Sequence, residues 1–103
     1  MFIYFNSLSQ FSDKEVIKFI EKESDQDLME RNTVFLLSGA FHHANMIMDE
    51  FLKKDPENAN FNYRRGFATF NSKADPQLAI PFLEKAITNV SRSYDMTSAR
   101  EKS

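Results

Sequence analysis

Residues 28–32, Leu-Met-Glu-Arg-Asn, align with residues 62–66, Asn-Tyr-Arg-Arg-Gly, at an offset of 34 positions. Further along the two halves of the chain, Ala44 aligns with Ala79 at an offset of 35. The difference implies one inserted residue in the second half, around residues 71–74. A repeat of this period is typical of architectures that stack one supersecondary unit on the next. The pattern therefore predicts two stacked units rather than one irregular domain.

The repeated units are predicted to be helical, because their apolar residues recur with a period of about 3.6. Helix caps separate the segments. Ser12 with Glu15 forms a capping box, Ser24 with Asp27 predicts a second N-cap, and Gly39 suits the left-handed residue that ends many helices. Helices are expected at about residues 12–23, 26–38 and 59–72, with one ending before Asp55-Pro56 and one starting at Asp75-Pro76. Within the last of these, Pro81 is expected to cause a slight bend.

The composition supports a helical protein and argues against several functional classes. Two glycines and three prolines in 103 residues are too few for a turn-rich β-sandwich or barrel. The formal net charge is −2, with both signs interspersed, so the basic face of a nucleic-acid-binding protein is missing. Cysteine is absent, and no apolar segment approaches the length of a membrane span. We therefore expect no disulfide, no nucleic-acid partner and no membrane span.

The repeat resembles the tetratricopeptide repeat (TPR) family, whose units are about 34 residues long and form helix hairpins. Small residues, a turn and a closing proline carry the resemblance, at Gly39, Phe41, Ala44, Phe51, Pro56, Gly66, Ala79 and Ala86. Asn32 stands in place of the expected glycine, Arg65 in place of a leucine, and tryptophan is absent. The resemblance covers about residues 25–91, with repeats at about 25–58 and 59–91. It implies an all-α fold of antiparallel helix hairpins stacked as a short TPR solenoid.

The resemblance also implies a domain organisation. A TPR-like helical domain is expected over residues 12–93, with the first helix capping one end. Residues 1–11 are interpreted as a disordered start or a signal remnant, and residues 94–103 as a polar tail or the start of a further helix. Residues 62–67 and 79–87 are similar to repeats that precede a β-propeller and an OmpA-like domain in bacterial envelope proteins. This narrower similarity implies a periplasmic or envelope location, with the cytoplasm as the alternative.

In TPR proteins the first helix of each repeat lines a concave groove that binds partners. The groove residues implied here are Met29, Thr33, Leu36, Asn60, Tyr63, Arg64, Phe67 and Phe70. They would form an apolar and aromatic groove with one cation, suited to an extended or helical peptide. The alternative is that Arg64 and Arg65 are merely solvated, with their stems covering apolar surface. The clamp for a C-terminal carboxylate is not expected, because Met29 and Thr33 replace its lysine and asparagine.

Catalytic, cofactor and metal sites are not expected. His42 and His43 are adjacent, so on a helix they point about 100° apart, and neither has a His, Cys or carboxylate three or four residues away. They are interpreted as surface or turn residues beside Phe41. A G-x-S-x-G motif and a glycine-rich phosphate loop are both missing. Neighbouring carboxylates such as Asp49 and Glu50 fall on polar helix faces and are interpreted as solvated.

The sequence therefore predicts a protein–protein interaction scaffold rather than an enzyme. Its partner would be another protein or a peptide held in the TPR groove, as part of a larger assembly. The alternative is a structural module that self-associates, forming a homo-oligomer by stacking through an uncapped C-terminal end after Val90.

Overall fold

A computed structural model describes residues 11–89 of the chain, in which the secondary structure consists of helices joined by short turns, without a strand. In chain order the helices are α1 (Asp13–Lys22), α2 (Asp25–Ser38), α3 (Phe41–Lys54), α4 (Ala59–Asn71), a 3₁₀ turn (Pro76–Ala79), and α5, which covers residues 80–89. The prediction of an all-α fold is confirmed. The predictions made for residues 1–10 and 90–103, including the start, the tail and the open end after Val90, lie outside the described residues.

Local chemistry explains most of the helix boundaries. The Ser12 hydroxyl accepts the backbone N–H of Glu15 at 3.1 Å, and the Glu15 carboxylate accepts the Ser12 N–H at 3.0 Å. Ser24 caps α2 by accepting the N–H of Asp27 at 3.1 Å. Gly39 ends α2 with φ of 83°, a left-handed conformation that glycine adopts without a Cβ penalty. These three predicted caps are therefore confirmed, and Asn58 adds an unpredicted one at the start of α4.

The beginning of the last helix differs from the prediction of one α-helix from Pro76. Asp75 caps the segment as expected, by accepting the N–H of Gln77, but residues Pro76–Ala79 form a 3₁₀ turn. Pro81 gives the physical reason, because it has no N–H to donate to the carbonyl of Gln77 four residues earlier. That carbonyl instead accepts the N–H of Ile80. The α-helical geometry therefore starts at residue 80, and Pro81 lies in its first turn rather than at an interior bend.

The helices form two hairpins whose spacing follows the sequence repeat. α2 starts at Asp25 and α4 starts at Ala59, 34 residues later. α3 starts at Phe41 and the 3₁₀ turn that leads into α5 starts at Pro76, 35 residues later. α3 packs against α1, α2 and α4, while α4 also packs against the 3₁₀ turn. This arrangement is consistent with a helical repeat in which α3 is the central element.

The main core lies between the first three helices. Its buried side chains are Val16, Leu28, Phe35, Ala44, Ile47, Met48 and Phe51. They come from one face of each amphipathic helix, as the sequence period predicts.

The two hairpins hold their helices together differently at equivalent positions. A Cβ on Gly66 would lie only 2.7 Å from Leu83 Cδ2, so α4 and α5 meet at this glycine. The equivalent residue in the first hairpin is Asn32, which is completely buried. Its amide Nδ2 donates to the backbone carbonyl of Ala44 at 2.8 Å. The first hairpin therefore replaces a close helix approach with a buried hydrogen bond between α2 and α3.

Candidate interaction groove

A groove lies between α2 and α4, the first helices of the two hairpins. It has a volume of about 250 Å³ and is lined by Thr33, Leu36, Leu37, Asn60, Tyr63, Arg64 and Phe67. We call this set the α2–α4 groove. The lining residues of each helix are three or four positions apart or adjacent, so each set falls on one helix face.

Six of the eight residues implied by the family resemblance lie together in this groove. The other two do not line it. Met29 is partly buried against the main core, and Phe70 is exposed on α4 outside the lining. Sequence reasoning missed Leu37, which lines the groove with 81% of its surface exposed. Leu37 belongs to the apolar run Val34–Leu37, in which periodicity does not separate the groove-facing positions from the core-facing ones.

The groove is predominantly apolar and open to solvent. Tyr63 is 53% exposed and Phe67 is 38% exposed. Their rings lie 6.1 Å apart, and Phe67 also contacts the ring of Phe41 edge-on at 6.4 Å. Clusters of exposed large apolar side chains are typical of interaction surfaces, whereas isolated ones are not informative.

The one guanidinium in the groove, that of Arg64, is held by uncharged groups. Its Nη1 donates to Asn32 Oδ1 at 2.8 Å and to Thr33 Oγ1 at 2.7 Å, and its Nε donates to Asn60 Oδ1 at 3.2 Å. Partial burial lowers the pKa of Arg64 below the usual value of an arginine, although the group stays charged. The side chain is therefore held by three hydrogen bonds and partly desolvated.

Arg65 lies on the face of α4 that packs against α3 and α5, about 100° around the helix from Arg64, and has a different environment. Its Nε lies 2.7 Å from Asp49 Oδ1 on α3, and its guanidinium lies 4.9 Å from the ring centre of Phe82. A carboxylate and an aromatic face therefore satisfy this cation within the protein. Arg64 therefore lies in the groove, whereas Arg65 contributes to the packing of α4 against α3 and α5.

Both histidines lie near the carboxylate of Asp13, which is distant from them in the sequence. His42 Nε2 lies 3.1 Å from both oxygens of Asp13, and His43 Nε2 lies 3.4 Å from one of them. The hydrogen bond with His42 is the main cause that holds the pKa of Asp13 below its usual value. His42 is exposed, while His43 is partly buried with its ring centre 5.5 Å from that of Phe35. This group links the N-termini of α1 and α3, which is a contact between residues 29 positions apart.

A second cavity of about 510 Å³ lies between α3, α4 and the start of α5. Asn45, Arg65, Thr69 and Phe82 are among its lining residues. Asn45 Oδ1 is buried there without a hydrogen-bond partner among the described residues.

Within residues 11–89, no cluster of histidine and carboxylate side chains has an arrangement that could hold a metal ion. Each helix in the same range falls short of the length and apolarity needed to cross a membrane.

Comparison of the chain with models of known protein families, with curated proteins and with solved structures gave no match. The relation to the TPR family therefore stays a prediction from the residues quoted above.

Proposed function

We propose that this protein is a TPR-like interaction module that binds a segment of another protein in the α2–α4 groove. The observation that carries the proposal is the exposure of Leu37, Tyr63 and Phe67 around one concavity. The backbone that carries these side chains is already ordered in helices, so a partner that buries their apolar surface gains free energy without ordering the groove backbone. The proposal includes the envelope location implied by residues 62–67 and 79–87.

The backing of the groove supports this proposal. Leu36 is partly buried and packs against the main core, so the groove face of α2 is held in place by the core. α4 is anchored through Asn62, whose buried amide donates to the carbonyls of Pro56 and Asn58. Grooves formed by packed helices offer a partner a preformed shape, which reduces the ordering cost of binding.

A peptide selection tests the proposal and does not require the natural partner. A displayed library of random dodecapeptides is selected on the full chain, and the bound clones are then tested on two variants. Leu37→Ser removes the most exposed apolar side chain of the groove. Ile17→Ser is the matched control, since Ile17 is exposed on α1, away from the groove.

The expected result is a set of peptides that bind the wild-type chain and Ile17→Ser equally and bind Leu37→Ser at least fivefold more weakly. One fully buried leucine side chain accounts for about 1.5–3 kcal/mol, which corresponds to a factor of about ten or more. The proposal is wrong if no selected peptide distinguishes the groove variant from the control.

A second candidate function is self-association through the last described helix and the 3₁₀ turn that precedes it. Leu78, Ile80 and Ile87 are exposed, and Ile87 is 69% accessible. A second copy could cover these residues by stacking, as repeat proteins do between neighbouring units. Sedimentation equilibrium over a wide concentration range tests this candidate. A concentration-dependent mass that Ile87→Asp abolishes would favour it over the groove, and a 12 kDa species at every concentration would exclude it.

A further inference from the structure

The three arginines of residues 11–89 differ in how their charge is balanced. Glu23 accepts two hydrogen bonds from Arg31, from Nε and Nη2, both at 2.7 Å. Asp49 accepts a hydrogen bond from Arg65, also at 2.7 Å. Arg64 has only amide and hydroxyl acceptors, and no carboxylate of the described residues lies within ion-pair distance of it. Arg64 is therefore a fixed charge without a counterion in the described part of the chain.

The hydrogen bonds of Arg64 leave one side of its guanidinium available. An arginine has five N–H donors, one on Nε and two on each terminal nitrogen. Nε donates to Asn60, while Nη1 donates to Asn32 and Thr33. The two N–H groups of Nη2 have no acceptor among the described residues. Three bonds thus hold the group in place, and two donors remain for a ligand.

We propose that the α2–α4 groove selects a partner segment that carries one acidic side chain, Asp or Glu, beside apolar side chains. This inference rests on the function proposed above and names the chemistry of the partner. The carboxylate binds the free Nη2 of Arg64, and the neighbouring apolar side chains contact Leu37 and Phe67. Charge complementarity is the basis, because a partly desolvated cation with neutral neighbours is stabilised by an incoming anion.

The same surroundings argue against a phosphate group and for a single carboxylate. A phosphoryl group carries close to two negative charges, and its binding sites supply several cationic donors. No lysine and no second arginine lines the α2–α4 groove. The groove is also an open concavity rather than an enclosed cavity, so it does not require a chain end. An acidic residue within a segment therefore fits better than a phosphorylated one or a C-terminus.

The experiment uses peptides from the selection described above, synthesised with an acetylated N-terminus and an amidated C-terminus. Their only carboxylates are then those of Asp and Glu side chains. The dissociation constant is measured by fluorescence anisotropy for each peptide and for its Asp→Asn or Glu→Gln counterpart. Both forms are titrated with the wild-type chain, with Arg64→Gln and with Arg65→Gln. Arg65→Gln is the matched control, since it removes the same charge from the adjacent residue, which does not line the groove.

We expect acidic residues to be enriched in the selected peptides. Replacing the acid by its amide should weaken binding to the wild-type chain about tenfold or more, as expected for a charge-assisted hydrogen bond in a partly buried site. Arg64→Gln should cause a similar loss, and the amide peptide should bind this variant no more weakly than the acidic one. Arg65→Gln should change the dissociation constant less than twofold.

The outcomes separate this inference from the proposed function. Peptides that need Leu37 but bind equally as acid and amide would overturn the inference and leave the groove as a binding site. An absence of any groove-dependent peptide would overturn both. Enrichment of phosphopeptides over acidic ones in a parallel phosphorylated pool would overturn the choice of a carboxylate. If Arg64→Gln unfolds the chain, the comparison of acid and amide peptides on the wild-type protein decides the question alone.

Discussion

Replacement of Gly66 by alanine tests the contact that holds the second hairpin together. In the interior of an exposed helix this change is stabilising by about 1 kcal/mol, because glycine loses more backbone entropy on folding. Here a Cβ would lie 2.7 Å from Leu83 Cδ2, 2.8 Å from Leu83 Cγ and 3.2 Å from Phe82 Cβ. The sign of the effect therefore depends on whether α5 can give way.

The geometry predicts that the steric cost exceeds the gain in helix propensity. Rotation about the Cβ–Cγ bond of Leu83 moves Cδ2 but leaves Cγ in place, and the Phe82 Cβ is fixed by the backbone of α5. The helix must therefore shift or Leu83 must change its χ1 rotamer. Overpacking of this kind costs about 1–3 kcal/mol, and the close contact with Cγ favours the upper part of that range. We expect Gly66→Ala to lower the free energy of unfolding by about 1–2 kcal/mol.

Urea unfolding followed by circular dichroism at 222 nm measures this change. With a slope of about 1 kcal/mol per molar urea for a small domain, the midpoint should fall by about 1–2 M. Leu83→Ala provides the control, since it removes both of the closest atoms. In that background Gly66→Ala should be neutral or stabilising by up to about 1 kcal/mol. A stabilising effect in the wild-type chain, or the same effect in both backgrounds, would show that the two helices do not meet at Gly66 as described.

Three further predictions concern pH, a buried amide and a turn. Three carboxyl groups have a lowered folded-state pKa, each mainly because of hydrogen bonding with one other residue. Asp13 bonds with His42, Glu15 with Ser12, and Glu23 with Arg31. Their contribution to stability is therefore present above pH about 5 and is lost as the pH falls through their lowered pKa values. The urea midpoint should drop steadily below pH about 4, and it should drop less steeply in Glu23→Gln. Asn32→Ala should lower the free energy of unfolding by about 2–3 kcal/mol, because it removes the hydrogen bond to Ala44 and leaves a cavity; a change below about 0.5 kcal/mol in urea unfolding would contradict this. Gly39→Ala should cost about 1 kcal/mol at φ of 83°, and Gly39→Asn less, and equal midpoints for glycine and alanine would refute the left-handed turn.

The helices were predictable because their boundaries depend on nearby residues. Ser12, Ser24, Gly39 and Asp75 each act within three or four positions of the chain, so their sequence context is sufficient. The repeat offset extended this local information to tertiary structure, since the starts of α2 and α4 are 34 residues apart, as the offset predicts. The 3₁₀ turn was not predicted, because the periodic apolar pattern continues through Pro81. That pattern does not show that Pro81 leaves the carbonyl of Gln77 without an α-helical donor.

The other features that escaped prediction depend on contacts between distant segments. Asp13 meets His42 and His43 because α1 packs on α3, and no pattern within either helix indicates that pairing. Leu37 was not assigned to the groove because it follows apolar residues that face the core. For Arg64, the sequence left a groove residue and a solvated residue as equal alternatives. Its hydrogen bonds to Asn32 and Thr33 join residues 32 and 31 positions apart, which no local pattern indicates.

Asn32 connects the stability of the fold to the geometry of the groove. In the family pattern a glycine at this position only allows two helices to approach. Here the amide donates to α3 through Ala44 and accepts from Arg64 on α4, so one buried side chain joins three helices. A buried polar group must keep its hydrogen bonds, since a lost partner costs free energy comparable to the bond itself. The orientation of the Arg64 guanidinium is thus fixed by the packing of α2 on α3 before any partner arrives. The carboxylate proposed above would then meet a donor that is already in place, which would lower the entropic cost of binding and make its affinity depend on the integrity of the first hairpin.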